Sequence, residues 1–161
     1  MATTDAQRDA LIAEAIDLAV DGVRAGRGGP FGAIVARNGR VVGRGESRVT
    51  SDNDPTAHAE IVAIRAACAS LGTFDLTGHD LFASCEPCPM CLAAAYWARL
   101  ERIYYAATRE DAAVAGFDDE RFYSELGAPA SKRSLPTTRL AVPQAREPFA
   151  AWAGKPDKIR Y

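Results

Sequence analysis

Two short segments restrict this chain more than anything else in it: Thr56-Ala57-His58-Ala59-Glu60 and Cys85-Glu86-Pro87-Cys88-Pro89-Met90-Cys91. One imidazole, His58, and one Cys-x-x-Cys pair, Cys88 and Cys91, supply three ligands suited to zinc. Three protein ligands leave the fourth tetrahedral corner for water, the arrangement of a catalytic rather than a structural zinc. Any fold must therefore bring together two segments about thirty positions apart. Glu60 lies two residues beyond His58, roughly 200° around a helix of 3.6 residues per turn. It is placed to serve a metal-bound water as proton carrier rather than to bind the metal.

The local sequence suggests how each segment is presented. Asp54 reads as an N-cap with Pro55 at the first helical position, so His58 falls in the first turn of a helix ending at Gly72. Glu86-Pro87-Cys88 reads as a second helix start, with Cys88 and Cys91 on one face. The positive end of that helix favours the thiolates that bind metal. Each residue also has a plainer reading. A single His at a helix start serves as a cap or surface residue, and a Cys-x-x-Cys pair can be a redox dithiol. Cys85, Cys88 and Cys91 with His58 could close a purely structural Cys3His site, although that leaves Glu60 and Pro87 without a role. Cys68 reads as a small core residue and His79 as an exposed loop residue.

At 161 residues, with 48% apolar and 25% charged side chains, the chain is expected to form one domain with a real core. No run approaches a membrane helix in length, and the N-terminal stretch is polar and acidic, unlike a signal peptide. Four cysteines, three of them clustered, suit metal binding in a reducing compartment, so the cytoplasm is expected. The net charge of −2 disfavours nucleic acid as substrate, since a phosphate-gripping surface is basic.

Hydrophobic periodicity gives an α/β chain. Thr4 and Gln7 form a capping box for a first helix reaching Gly26. A strand follows over 31–37, Asn38-Gly39 is a type I′ turn, and 40–46 returns. A loop leads to the His58 helix. Strands are expected at 81–84, delivering the chain to Cys85, and at 102–106, with the cysteine helix between them reaching about Leu100. This alternation implies parallel pairing. A helical turn within 107–116, a helix to Leu126 and a last edge strand at 137–142 complete a three-layer α/β/α sandwich on a five-stranded mixed sheet. Both metal segments lie at strand-to-helix junctions, where open α/β sheets bind ligands.

The chain resembles the cytidine-deaminase-like zinc deaminases, and more closely the short bacterial guanine deaminases, over nearly its whole length. The resemblance rests on Gly28-Gly29-Pro30-Phe31-Gly32-Ala33, Asn53 through Glu60, Ser84 through Leu92, Ala95-Tyr96-Trp97-Ala98-Arg99 and Ala115-Gly116-Phe117-Asp118-Asp119. It implies zinc on His58, Cys88 and Cys91, with Glu60 shuttling protons as zinc-activated water attacks an aminopurine, most directly guanine to xanthine plus ammonia. Phe31, Ser47, Ala59, Trp97, Asp119 and Tyr161 would contact the substrate. By itself Phe31, opening a strand, reads more readily as a core residue, Trp97 reads equally as core, and Asp119 reads as a solvated or capping acid. The resemblance also implies a homodimer in which the segment of about 148–161 crosses over, so that Tyr161 closes the partner's site. The family commonly carries Asn where this chain has Ser47. A hydroxyl donates and accepts but lacks the two-point geometry of an amide, so guanosine, a pterin, an aminotriazine or tRNA adenosine stay open as substrates.

Overall fold

The computed structural model describes residues 3–161. The chain divides into two compact units, one ending at Tyr123 and the other spanning Ser124–Tyr161.

Helix α1 (Asp5–Arg24) opens the first unit, and the expected capping box is present. The Thr4 backbone N–H donates to Gln7 Oε1 at 2.9 Å, and the Gln7 N–H donates to Thr4 Oγ1 at 3.3 Å, so two of the helix's orphan donors are satisfied reciprocally. Strands β1 (Gly32–Arg37) and β2 (Arg40–Glu46) form the hairpin. Its turn has φ of 53° at Asn38 and 78° at Gly39, the pair of positive values a type I′ turn demands. A short helix, α2 (Val49–Asp52), occupies the expected loop. Helix α3 (Ala59–Leu71), strand β3 (Asp80–Cys85), helix α4 (Pro89–Trp97) and strand β4 (Arg102–Ala107) follow.

The sheet order is β2-β1-β3-β4. Helix α3 carries the chain from β2 over β1, so β3 pairs antiparallel with β1, and parallel pairing is confined to β3 and β4. Alternation along the strands feeds two cores. Ile34, Ala36 and Phe82 pack with Leu11 and Ala15 of α1 on one face. Ala33, Val35 and Leu81 pack with Ala59, Ala63 and Ala67 of α3 and with Ala98 on the other. This unit is the expected three-layer sandwich. Side chains such as Phe82 and Ile34 are fully buried, each worth about 1.5–3 kcal/mol over exposure.

Helices α5 (Arg109–Val114) and α6 (Asp119–Gly127) come next, then two 3-10 turns and helix α7 (Glu147–Gly154). The sheet has four strands, not five, because residues 137–142 make no ladder among the described residues. Their extended propensity is not matched by a partner edge, and a strand without a ladder is not one. His79 departs from its expected place on the surface. It is buried, with its Nδ1 3.1 Å from the carbonyl of Leu76 and its own carbonyl accepting from the Glu101 N–H at 2.8 Å. Cys68 packs beside the core as expected.

Candidate active site

The two metal segments meet. His58 is the N-cap of α3 and Cys88 the N-cap of α4, so both ligands stand where the backbone turns from extended to helical. These starts differ from expectation by a few residues. Asp54 does not cap α3. Its carboxylate accepts from the backbone N–H and the hydroxyl of Thr56, at 2.8 and 2.7 Å, closing a local turn that delays the helix. Pro89, not Pro87, takes the first position of α4, and the helix stops at Trp97 because Ala98 caps it.

His58 Nδ1 lies 3.5 Å from Cys88 Sγ and 3.6 Å from Cys91 Sγ, and the two sulfurs are 3.6 Å apart. A tetrahedral zinc with bonds of about 2.3 Å to sulfur and about 2.0 Å to nitrogen separates its donors by about 3.5–3.8 Å. The three atoms thus form a triangle of the size zinc requires. Among the described residues, the group holds these three and no fourth protein donor. Cys85 stands apart, its thiol donating to the Thr108 carbonyl at 3.4 Å, so the closed Cys3His reading does not fit. Burial pushes the Cys85 thiol up to about 11, which keeps it protonated. Cys88 moves the other way, down to about 4, chiefly through its hydrogen bond with Cys91 and next because His58 lies beside it. The same contact raises Cys91. Cys88 raises the His58 ring in turn.

Glu60 is 6% exposed, and burial lifts its carboxyl to about 7 against the pull of its own backbone N–H at the start of α3. It opens with His58 and Cys88 into a cavity of about 450 Å³. Phe31 and Phe117 form one wall, edge to face with ring centroids 4.7 Å apart. Ser47, Gly28 and Gly29 form another. Gly28 has to be glycine, since a Cβ there would come within 1.9 Å of the Ser47 carbonyl. Two further carboxylates, Glu86 and Asp119, line the cavity, and burial raises Asp119 above its ordinary value.

Of the expected substrate contacts, Phe31, Ser47 and Asp119 line this cavity. Ala59 does not; it is fully buried in α3 against Gly45 of β2. Trp97 is 63% exposed at the end of α4 and is not part of the lining either. Tyr161 belongs to the second unit, where its ring sits edge-on to Trp152 at 6.4 Å. Phe117 and Glu86 were not singled out from sequence. For Phe117 the signal was the preceding Gly116, whose φ of 93° ends α5 and turns the aromatic side chain inward.

The family model described as the cytidine and deoxycytidylate deaminase zinc-binding region matches residues 5–107. The guanine deaminase of Bacillus subtilis is 46% identical over 153 residues, spanning 95% of this chain and 98% of that protein. Its crystal structure superposes with a TM-score of 0.92 over 95% of this chain and 98% of that one. The guanine deaminase of Nitrosomonas europaea gives a TM-score of 0.67 at 31% identity, over 73% of this chain and 66% of that one. A tRNA-specific adenosine deaminase of Agrobacterium fabrum is 50% identical, but only over 48% of this chain and 51% of its own length. With the ligand triangle assembled, the family model matched over residues 5–107 and the Bacillus subtilis relative matched along almost its full length, the chain belongs to the cytidine and deoxycytidylate deaminase family of zinc-dependent hydrolytic deaminases.

Proposed function

We propose that this enzyme deaminates a free aminopurine, guanine, to xanthine and ammonia. The observation that carries the reading is the match to the Bacillus subtilis guanine deaminase along nearly the whole of both chains. The cavity's chemistry supports it. Phe31 and Phe117 offer apolar ring surface to a planar base. Glu86 and Asp119 are acceptors for a heterocycle rich in N–H donors, and they repel the phosphate of a nucleotide. Ser47, buried beside Gly28, presents a single hydroxyl to the rim.

His58, Cys88 and Cys91 would hold the zinc. When bound, zinc supplies Lewis acidity that brings the pKa of a coordinated water to about 7. Glu60 takes the proton of the attacking water on its carboxylate. It delivers that proton to the ring nitrogen beside C2, then takes the second from the hydroxyl now on C2 and passes it to the departing amine, so guanine and water become xanthine and ammonia. A carboxyl lifted to about 7 is matched to both acceptance and donation near neutral pH. The phenylalanines and the buried side of α3 keep bulk water from the reacting face.

The remaining expectations complete the reading. The enzyme works in the cytoplasm as a homodimer whose segment of about 148–161 crosses over, placing Tyr161 in the partner's site. Leu140, Phe149 and Tyr161 are 77%, 74% and 72% exposed, large apolar side chains that an exchanged segment would cover. Subunit mixing tests the exchange. A Glu60→Gln chain and a chain lacking Tyr161 are each inactive alone, and regain activity on mixing only if Tyr161 is supplied in trans.

Ammonia release from guanine, guanosine, adenine, cytosine, cytidine, pterins and aminotriazines tests the substrate. Guanine is expected to give the highest kcat/KM. Turnover of another compound with guanine inert would overturn the proposal, and Ser47→Asn would then be the first substitution to make.

A further inference from the structure

Three consecutive residues leading into the metal helix each hold the segment after β4. The Cys85 thiol donates to the Thr108 carbonyl at 3.4 Å. The Glu86 N–H donates to the Ala107 carbonyl at 2.9 Å, and Glu86 Oε2 accepts from the Arg109 N–H at 3.2 Å. The Pro87 carbonyl accepts from the Tyr123 hydroxyl at 2.8 Å. The Arg109 guanidinium lies 4.9 Å over the Tyr123 ring and joins the two ends of the clasp. Between these anchors the chain folds as α5, turns at Gly116 and starts α6. The residues carried by that turn are Phe117 and Asp119, the cavity wall facing the ligands.

We propose that Tyr123 is a positioning residue for substrate binding. Its hydroxyl, by gripping Pro87 next to Cys88, fixes the distance between the metal loop and the wall that bears Phe117 and Asp119. The carbonyl of Pro87 is suited to this task. Proline cannot donate, and its φ is locked, so the acceptor is held still one residue from a ligand. The anchors at Thr108 and Arg109 hold only the near end of the segment. Without the Tyr123 hydroxyl the far end, with Asp119 four residues earlier on α6, swings about the Gly116 turn. The wall then samples positions too far from the base to contact it, while the zinc ligands stay in place.

The proposal rests on the substrate reading above, and the experiment separates the two. Tyr123→Phe keeps the ring beneath Arg109 and removes only the hydroxyl. KM for guanine is expected to rise about fivefold, the worth of one neutral hydrogen bond, with kcat within about twofold. Zinc content is expected to stay at that of the wild type. Amides of 117–122 are expected to exchange with deuterium about fivefold faster, with those of α3 unchanged. Faster exchange with KM unmoved would make the contact merely structural and overturn the positioning role. Unchanged exchange overturns it whatever the substrate. If wild-type enzyme leaves guanine untouched, the substrate reading fails. KM is then read on the compound the screen returns, and the exchange arm still decides the clasp.

Discussion

Glu60 sits beside the zinc ligands with its carboxyl lifted to about 7 by burial, while Cys85, Cys88 and Cys91 divide into one inert thiol and two ligands. These assignments separate by mutation. Glu60→Gln keeps the shape of the side chain and removes the titrating proton, so kcat is expected to fall at least about 10²–10⁴-fold with zinc content unchanged. Cys91→Ala is expected to yield protein without stoichiometric zinc, and Cys85→Ala to retain it. Metal analysis of the purified variants, alongside ammonia release, checks all three, and zinc loss in Cys85→Ala would place that thiol in the coordination set. Individual ligands were legible because spacing between chemically distinctive side chains survives any fold that satisfies the metal. Phe117 and Glu86 were not, because an aromatic residue or an acid near a helix end has many uses, and only the turn at Gly116 aims Phe117 at the cavity. Trp97 shares the metal helix with the ligands yet lies exposed at its far end, outside the cavity lining.

At the scale of elements, β2 and α3 are in unusually close contact, and sequence composition explains why. Glycines at 43 and 45 of the strand face Ala59, Ala63 and Ala67 of the helix. A Cβ on Gly45 would meet the Ala59 carbonyl oxygen at 2.0 Å and the Ala63 nitrogen at 2.5 Å. Gly45→Ala therefore has to push the N-terminal turn of α3 outward. Overpacking of this kind costs about 1–3 kcal/mol. His58 immediately precedes that turn, so the displacement is expected to weaken zinc binding as well as stability. Thermal melts and competition with a chelator measure the two effects. Gly127→Ala, where a new Cβ meets nothing within 4 Å, is the control and is expected to be near neutral. Helices α1, α3 and α4, the hairpin and strands β3 and β4 were readable from capping, turn chemistry and periodicity, while the strand expected at 137–142 and helices α2 and α7 were not. Nor were the exact helix starts. Asp54 can cap a helix or close a turn with Thr56, and the choice depends on where the metal needs His58.

For the whole molecule, the order β2-β1-β3-β4 could not be read from alternation alone, because a helix between two strands does not say how many strands it steps over. Charge and motif likewise left the choice between free base and tRNA to the extent of the match. The adenosine deaminase of Agrobacterium fabrum matches 48% of this chain and the structure of a tRNA:A34 deaminase 83% of it at a TM-score of 0.60, whereas the guanine deaminase likeness runs through 95% at a TM-score of 0.92. The metal ties these scales together. His58 follows the hairpin through α2, and Cys88 and Cys91 follow β3, so an ion held by the three would cross-link the starts of two helices that pack on the same face of the sheet. An ion bound only by the folded chain stabilises it by mass action, about 4 kcal/mol at a thousandfold excess over Kd. For a chain of this size each kcal/mol shifts Tm by about 2–4 °C, so zinc removal is expected to lower Tm by roughly 10 °C. Glu60→Gln should lose as much as the wild type, because Glu60 is not a ligand. Cys91→Ala should start lower and lose almost nothing on adding a chelator. If the Cys91 variant instead falls as far as the wild type, the stabilising ion is bound elsewhere, and the ligand triangle is not what holds the two helix starts together.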